Sequence, residues 1–316
     1  MLLREYRIVL PVTLEEVGYI LFSHFLLHHF ACNFWQYKVG QLWNVMETSR
    51  NVTGGGQGVE ILQNEAFRNT PLVGDKFANG QFTYKIYHLD SKVPWWLRQL
   101  LPSGATKLHE QAWNAFPYCR TIITNPDYME ENFLIKVETM HLVDRGTTEN
   151  AHNLSEEDLS IRRIIVIDIA NDPFTKKDKP EYDPRIYKSV KTGRGPLCNE
   201  WFNTCVPYIC CYKLVTVQFK WWGFQSRAER FIQQQYSSLF RLFHRQLFCT
   251  IDKWCDMTIE DIRAMELQAK TDLNEVSSKN DTSGKNVAIR QMRTEGSVGL
   301  KAFQLTAPFV PRKQQH

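Results

Sequence analysis

The sequence predicts an α+β protein in which a mainly antiparallel sheet packs against a few helices. Segments such as Gln81–Leu89 alternate between two kinds of side chain and are rich in aromatic and β-branched residues, as half-buried strands are. Near the C-terminus, apolar residues recur at spacings of three and four, which is typical of helices. The 316 residues include nine Trp, twelve Tyr and nineteen Phe, enough for a large core or an apolar cavity. Two average domains would fit this length, and one large α+β domain fits it equally well.

Charge and cysteine content exclude several classes of function. A net charge of +4 permits attraction to anionic membranes but is too small for a nucleic-acid interface. The eight Cys show no CxxC or Cys/His spacing of the kind that holds zinc, so we expect neither a metal nor a cofactor. Charges at Arg4 and Glu5 argue against a cleavable signal, and we expect reduced thiols in the cytoplasm.

The first elements are a strand at Glu5–Leu10 and a helix announced by the capping box Thr13–Glu16. Helical periodicity is clearest further along, where apolar residues follow the i, i+3, i+4, i+7 pattern. These residues are Val39, Leu42, Trp43 and Met46.

An apolar segment separates the capping box from that stripe. Val17–Trp35 has no Asp, Glu, Lys or Arg in nineteen residues, which makes it a transmembrane candidate by length and hydropathy. Its three His and one Asn, and the absence of a flanking Lys/Arg cluster, weaken that interpretation. Joining Glu16 to Tyr37 gives one continuous amphipathic helix, TLEEYKVGQLWNVMETS. We therefore interpret Val17–Gln36 as an insertion of twenty residues, and hypothesise that it is a translated, unspliced intron.

Seven segments define the predicted elements between residues 59 and 222. In Gln81–Leu89, alternation puts Thr83, Lys85 and Tyr87 on one face. Ile164–Ala170 is predicted to be buried, and the apolar Val93–Pro102 to be a short helix acting as a core cap or a mobile lid. The remaining predicted strands are Val59–Ala66, Tyr118–Thr124, Phe133–Leu142 and Tyr212–Trp222.

Two helices close the predicted fold. The core stripe of the first consists of Phe240, Phe243, Leu247, Ile251 and Trp254. The second begins with a capping box from Thr258 to Asp261, and its apolar stripe contains a carboxylate, Glu266. A carboxylate in that position needs a cationic or hydrogen-bonding partner unless it reaches water at the edge of the stripe. From Ser277 to His316 the chain is polar and aperiodic, and we expect a disordered tail.

Several long motifs resemble those of one protein family. QFTYKIYHLDSKVP, AWNAFPYCRTIIT, KTGRGPL, YKLVTVQFKWWG, FHRQLFC and DKWCDMTIEDIRAME are similar to the phosphatidylinositol transfer proteins of the soluble, single-domain class. The resemblance covers residues 1–16 and 37–276. It implies a START-like, helix-grip domain over residues 1–276, interrupted at 17–36, in which the sheet wraps around a long helix and encloses a lipid cavity.

The resemblance also implies a set of binding residues. Those expected at the phosphatidylinositol headgroup are Thr83, Lys85, Asn114 and Glu266. Further polar cavity positions are Gln41, Thr121, Thr139 and Lys213, and Cys119 is expected near the headgroup. Trp221 and Trp222 correspond to a membrane-docking pair, of which alternation turns Trp222 outward. Tyr236 departs from the pattern, since the family usually has an acidic residue there.

The function implied is exchange of one phospholipid, phosphatidylinositol or phosphatidylcholine, between membranes, in support of phosphoinositide supply. No chemical step is implied, and no GxSxG motif indicates a hydrolase. We expect a cytoplasmic monomer that contacts membrane surfaces transiently and binds no nucleic acid. Two alternatives remain: a membrane-anchored START-like lipid-binding or signalling protein held by Val17–Trp35, and a START-like hydrolase or sterol carrier.

Overall fold

A computed structural model describes residues 1–13, 36–53, 59–88, 104–223, 225–265 and 268. It is an α+β structure built on one eight-stranded sheet. The strands are β1 (Leu2–Leu10), β2 (Val59–Phe67), β3 (Gly80–His88), β4 (Lys107–Ala115), β5 (Tyr118–Asn125), β6 (Glu130–Leu142), β7 (Arg163–Ile167) and β8 (Ile209–Phe219). The helices are α1 (Gln36–Thr53), α2 (Glu156–Ile161), α3 (Trp201–Thr204), α4 (Gln225–Cys249) and α5 (Ile251–Trp254), with a short 3-10 turn at Pro180–Tyr182. A further helical segment, α6, covers residues 259–265.

The sheet has the strand order β2-β3-β4-β5-β6-β8-β1-β7. All neighbouring pairs are antiparallel except β1 and β7, which are parallel. The strand β3, which corresponds to the predicted strand Gln81–Leu89, lies next to the edge strand β2. The predicted mainly antiparallel sheet is therefore confirmed.

The long helix α4 packs against β1 and β8, on what we call the inner face of the sheet. The hydroxyl of Tyr6 donates to the carbonyl of Gln233 at 2.7 Å and to its Oε1 at 2.9 Å. The amide of Gln233 donates in turn to the Val215 carbonyl at 2.9 Å. Gln233 is fully buried, so these bonds fix the middle of α4 on the sheet without leaving its polar atoms unpaired.

The predicted stripe from Phe240 to Trp254 is buried or half-buried, but it spans two helices. The helix α4 ends at Cys249, and Trp254 belongs to the separate α5. Trp254 is completely buried and packs closely on Gly40 of α1, where a Cβ atom would lie 2.9 Å from its ring. Glycine at this position therefore lets α1 and α5 approach each other.

One prediction is wrong, because β7 is not a buried strand. It forms the edge of the sheet, and Ile164 and Val166 on its outer side are 43% and 56% exposed. Only its alternate residues face the core, where Ile167 is buried. A continuous apolar run is typical of a strand covered on both faces, but the pattern alone does not distinguish it from an edge strand covered on one face.

Four predictions fall on residues outside the described ranges: the insertion Val17–Gln36, apart from Gln36 itself at the start of α1, the helix Val93–Pro102, Glu266 and the tail from Ser277. The structure does show what flanks the insertion. The backbone N–H of Tyr37 donates to the Thr13 carbonyl at 3.4 Å. Of the helices that the structure describes, none is long and apolar enough to cross a membrane.

Candidate ligand-binding site

Polar side chains form one row across six neighbouring strands of the sheet. The strand pairing places Gln81, Asn114, Cys119, Thr139, Lys213 and Tyr6 directly opposite one another in sequence. Directly paired residues share a face, and Tyr6 contacts α4, so the whole row lies on the inner face. Four residues predicted from the sequence are thus brought together by β-sheet register.

Contacts within the row connect its members. The Cys119 thiol donates to Asn114 Oδ1 at 3.2 Å, and Lys213 Nζ lies 3.5 Å from Thr139 Oγ1. The side chain of Gln41, from α1, lies near enough to Cys119 to affect its pKa. Burial raises the pKa of Cys119 to about 11, although the Lys213 charge and the Gln41 side chain both act to lower it. Cys119 is therefore a neutral thiol at physiological pH.

Lys213 is a buried cation, 8% exposed. Burial lowers its pKa below the ordinary value. Its ammonium contacts the Thr139 hydroxyl and lies 5.2 Å from the centre of the Phe240 ring. No carboxylate in the described ranges forms an ion pair with it. An ammonium in this setting is suited to an anionic ligand group, because burial of an unpaired charge is unfavourable.

Thr83 and Lys85 extend the polar surface toward the sheet edge. Thr83 pairs with Ala112, which pairs with Thr121, so the two threonines flank a small residue on the inner face. The Thr83 hydroxyl lies 3.4 Å from Asn64 Oδ1 as a hydrogen-bond donor. Lys85 forms an ion pair with Glu110 on β4, with Nζ 3.5 Å from Oε1.

We did not predict Glu110 as a site residue from the sequence, although its position in the strand relative to Asn114 indicates that it is one. It lies four residues before Asn114 in the same strand, and therefore on the same face. Its Oε2 accepts a hydrogen bond from the Tyr87 hydroxyl at 2.9 Å, while Oε1 pairs with Lys85. The carboxylate thus links two side chains of β3.

Two buried histidines near Lys213 were also missed. The Nδ1 atom of His141 lies 2.7 Å from the Pro117 carbonyl, which places the proton on Nδ1 and leaves the buried Nε2 without a partner among described residues. Burial, reinforced by the Lys213 charge, lowers the pKa of His141 to about 3. His244 has a similarly lowered pKa for the same reasons. Both imidazoles are neutral, so they add no further positive charge beside Lys213.

The segment leading to Glu266 reaches this site. Thr258 and Asp261 form the predicted capping box, with the Asp261 N–H donating to Thr258 Oγ1 at 3.1 Å and the Thr258 N–H donating to Asp261 Oδ2 at 2.8 Å. From α6, Arg263 Nη2 donates to Gln81 Oε1 at 3.3 Å. This contact brings α6 to β3, two residues from Thr83; the position of Glu266 stays a prediction.

At the end of β8 the two tryptophans differ in environment. Trp222 is 96% exposed, as the alternation predicted. The ring of Trp221 lies 6.1 Å from that of Tyr128 and 6.5 Å from that of Phe219. An exposed indole adjoining an anchored one is suited to contact with a membrane interface.

No set of His, Cys, Asp or Glu side chains in the described part of the chain is arranged to hold a metal ion. The site instead combines the buried Lys213 ammonium, the Lys85–Glu110 ion pair, neutral hydrogen-bonding groups and apolar surface. Such a combination can hold a ligand that has an anionic group, several hydroxyls and a large apolar portion.

Comparison with known proteins agrees with this description. A family model described as phosphatidylinositol transfer protein matches residues 28–271. The chain is 45% identical to the phosphatidylinositol transfer protein beta isoform of Bos taurus, covering 91% of this chain and 98% of that protein. Identity to the Homo sapiens beta isoform is 44% over the same shares. Phosphatidylinositol transfer protein 1 of Dictyostelium discoideum is 43% identical, over 89% of this chain and 97% of that protein. The chain therefore belongs to the phosphatidylinositol transfer protein family.

Proposed function

We propose that this protein binds one phospholipid, phosphatidylinositol or phosphatidylcholine, and exchanges it between membranes, supporting phosphoinositide supply. The observation that carries the proposal is the buried ammonium of Lys213, for which no described carboxylate provides charge compensation. A phosphodiester supplies the missing negative charge, and the neighbouring Thr139 hydroxyl donates to the same oxygens. Membership of the family supports the same conclusion.

The lipid tails require an enclosed apolar site. A phospholipid buries on the order of thirty methylenes, so its passage through bare water costs roughly 25 kcal/mol at ~0.8 kcal/mol each. We propose that the inner face and α4 form the walls of this cavity in a START-like, helix-grip arrangement. Capture from a bilayer is then nearly balanced in free energy, because one apolar environment replaces another. No bond is made or broken, and the protein is not an enzyme.

Inositol recognition uses the polar groups on β3 and β4. Thr83, Lys85 and Asn114 offer hydroxyl, ammonium and amide groups on the same face, and Glu266 completes the set. A ring with several hydroxyls needs donors and acceptors together, whereas a choline headgroup needs fewer of them. Trp222, with Trp221, docks the protein transiently on the bilayer. We place the protein in the cytoplasm as a monomer.

Transfer between vesicles tests the proposal. Replacing Lys213 by Met removes the charge while keeping a long apolar side chain, so transfer of both lipids should fall at least tenfold. Lys188→Met is the matched control, because Lys188 is exposed and has no described contact at the site. Wild-type protein that moves neither lipid would contradict the function, and undiminished transfer by Lys213→Met would remove its main support.

A further inference from the structure

Strand β2 forms one edge of the sheet, and most of its residues are exposed. Among the described strands it pairs only with β3. The apolar residues Ile61 and Leu62 are 50% and 46% exposed. A register shift between Ile61 and Gln63 interrupts the pairing with β3, so the regular part of the edge is Gln63–Phe67. Such an edge presents a row of backbone N–H and C=O groups to which a further strand can bind.

The charge of this edge is negative. Glu60 and Glu65 are both exposed, and β2 contains no Lys or Arg. Their partners on β3 alternate with Lys85, so the two carboxylates lie on the outer face of the sheet, away from α4. The other edge strand, β7, contains Arg163 and no acidic residue. A basic segment therefore fits β2 better than β7.

One stretch of the C-terminal tail has the sequence pattern of a strand. Leu300–Ala307 consists of eight residues between Gly299 and Pro308, the boundaries that are typical of a short strand. Alternation puts an ammonium and three apolar side chains on one face, namely Lys301, Phe303, Leu305 and Ala307. The tail from Ser277 to His316 contains seven Lys or Arg and two Asp or Glu, so its charge is opposite to that of β2.

The helix α6 brings the chain to the β2 side of the sheet before the tail begins. Arg263 Nη2 donates to Gln81 Oε1 at 3.3 Å, and Gln81 pairs with Ala66 of β2. Thirty-four residues separate the end of α6 from Leu300. A flexible chain of that length has a root-mean-square span of about 30 Å. Its far end is then present at the edge at a local concentration on the order of 1 mM, so even weak strand pairing suffices for docking.

We propose that Leu300–Ala307 docks on the edge of β2 along Gln63–Phe67 as a further strand of the sheet. Lys301, Phe303 and Leu305 then lie on the outer face, where the ammonium meets the Glu65 carboxylate. Backbone hydrogen bonds supply the affinity, as in other cases of strand addition. The tail thus covers an edge through which copies of the chain can otherwise associate. This inference is independent of the proposed function, because it involves neither a lipid nor its binding groups.

Amide hydrogen exchange of the full chain tests the docking, with mass spectrometry of peptides from β2 and from residues 300–307. The amides of Gln63–Phe67 that do not bond to β3 should be protected. Gln304→Pro removes one N–H from the added strand and should speed their exchange about tenfold or more. The matched control is Gln291→Pro, which lies in the same tail outside the docking stretch and should leave exchange unchanged.

A charge reversal tests the placement of Lys301 beside Glu65. Glu65→Lys alone and Lys301→Glu alone should each speed exchange at the β2 edge, because each places like charges side by side. The two changes together should restore protection to within twofold of the wild type. Glu131→Lys is the control, since Glu131 is an exposed glutamate on β6. If the double variant exchanged as fast as the single ones, the proposed placement would be wrong.

The remaining outcomes distinguish the tail from a second copy of the chain. Sedimentation over a range of protein concentrations should show a monomer whose edge protection does not change with concentration and is lost in Gln304→Pro. Protection that increases together with the fraction of dimer would mean that another copy covers β2. That result, or a wild-type edge that exchanges as fast as in Gln304→Pro, would overturn the proposal.

Discussion

Lys213 determines the energetics of the site because its charge is buried. The residue is 8% exposed, and its ammonium contacts only a hydroxyl and an aromatic ring among described residues. Such an arrangement is unfavourable in the absence of an anion and becomes favourable when a phosphate arrives. A site of this kind lowers the stability of the lipid-free protein and raises its affinity for a ligand that contains a phosphate.

Lys213→Met should therefore stabilise the lipid-free protein while abolishing lipid binding. We expect the free energy of unfolding to rise by roughly 1–4 kcal/mol, the range found when buried charged groups are replaced by apolar ones. Burial lowers the pKa of Lys213 in the folded state below 10.5, so the unfolded chain binds the proton more tightly. Stability of the wild type should then rise with pH between that lowered pKa and 10.5, and the variant should lack this contribution. Chemical denaturation across pH measures both effects, and a less stable variant would contradict the account.

Lys85 and Glu266 should select inositol lipids. Lys85→Ala or Glu266→Ala removes groups that bind ring hydroxyls, so transfer of phosphatidylinositol should fall at least tenfold while phosphatidylcholine is still transferred. Paired vesicle assays with the two lipids measure this difference. Equal loss of both lipids would show that the substitutions unfold the protein, and the assignment would fail.

Cys119 should react slowly with alkylating reagents at neutral pH. Burial raises the pKa of its thiol to about 11, and the thiolate is the reactive form. The alkylation rate should increase about tenfold per pH unit up to that value. Peptide mass spectrometry follows Cys119, with the exposed Cys198 as an internal reference. A Cys119 rate that levels off below pH 9 would contradict the burial.

Most of these residues could be predicted from family motifs, but their arrangement could not. Asn114, Cys119, Thr139 and Lys213 come from four different strands, and only the register of the sheet puts them in one row. Glu110 could have been found from its alternation with Asn114. His141 gave no comparable signal, because a histidine on an apolar face is usually a core residue.

At the level of the structural elements, we predict that the end of β8 contacts the membrane through Trp222. Trp222→Ala should weaken vesicle association and slow the transfer of every lipid by the same factor, about threefold or more, because the binding site is unchanged. Trp221 is less suitable for this test, since its ring packs on Tyr128. Val190→Ala is a matched control, because Val190 is 92% exposed on another surface segment. Sedimentation with vesicles gives the association, and unchanged binding of Trp222→Ala would exclude the docking role.

Element type was easier to predict than element environment. The strands and long helices follow the alternation and periodicity of their side chains, as in α1, where Val39, Trp43 and Met46 are buried. The edge position of β7 and the end of α4 at Cys249 depend on tertiary packing. Neither the edge position of β7 nor the end of α4 is indicated by a local pattern in the sequence.

For the whole molecule, the hypothesis of an insertion at 17–36 bears on how its two flanking residues meet. Tyr37 donates to the Thr13 carbonyl, although the two residues are 24 positions apart. Without the twenty inserted residues they would be four apart, which is the spacing of an α-helical hydrogen bond. The contact between Thr13 and Tyr37 is thus one that a continuous helix lacking the inserted residues would contain.

Deleting Val17–Gln36 should leave lipid transfer within twofold of the full chain and should not lower the melting temperature. The hypothesis of a translated intron adds that the major transcript lacks these sixty nucleotides, since the segment begins Val-Gly and ends in Gln, as GT and CAG boundaries allow. Transcript sequencing and vesicle assays check the two statements. Loss of transfer on deletion, or a segment that resists carbonate extraction from membranes, would favour the anchored alternative.

The central claim is that one chain holds one phospholipid. Native mass spectrometry of the protein, re-isolated after incubation with vesicles of phosphatidylinositol and phosphatidylcholine, measures this directly. We predict a single bound phospholipid per chain, of either kind, and its absence from Lys213→Met treated in the same way. A lipid-free wild-type chain, or several lipids bound with no preference for one, would contradict the account.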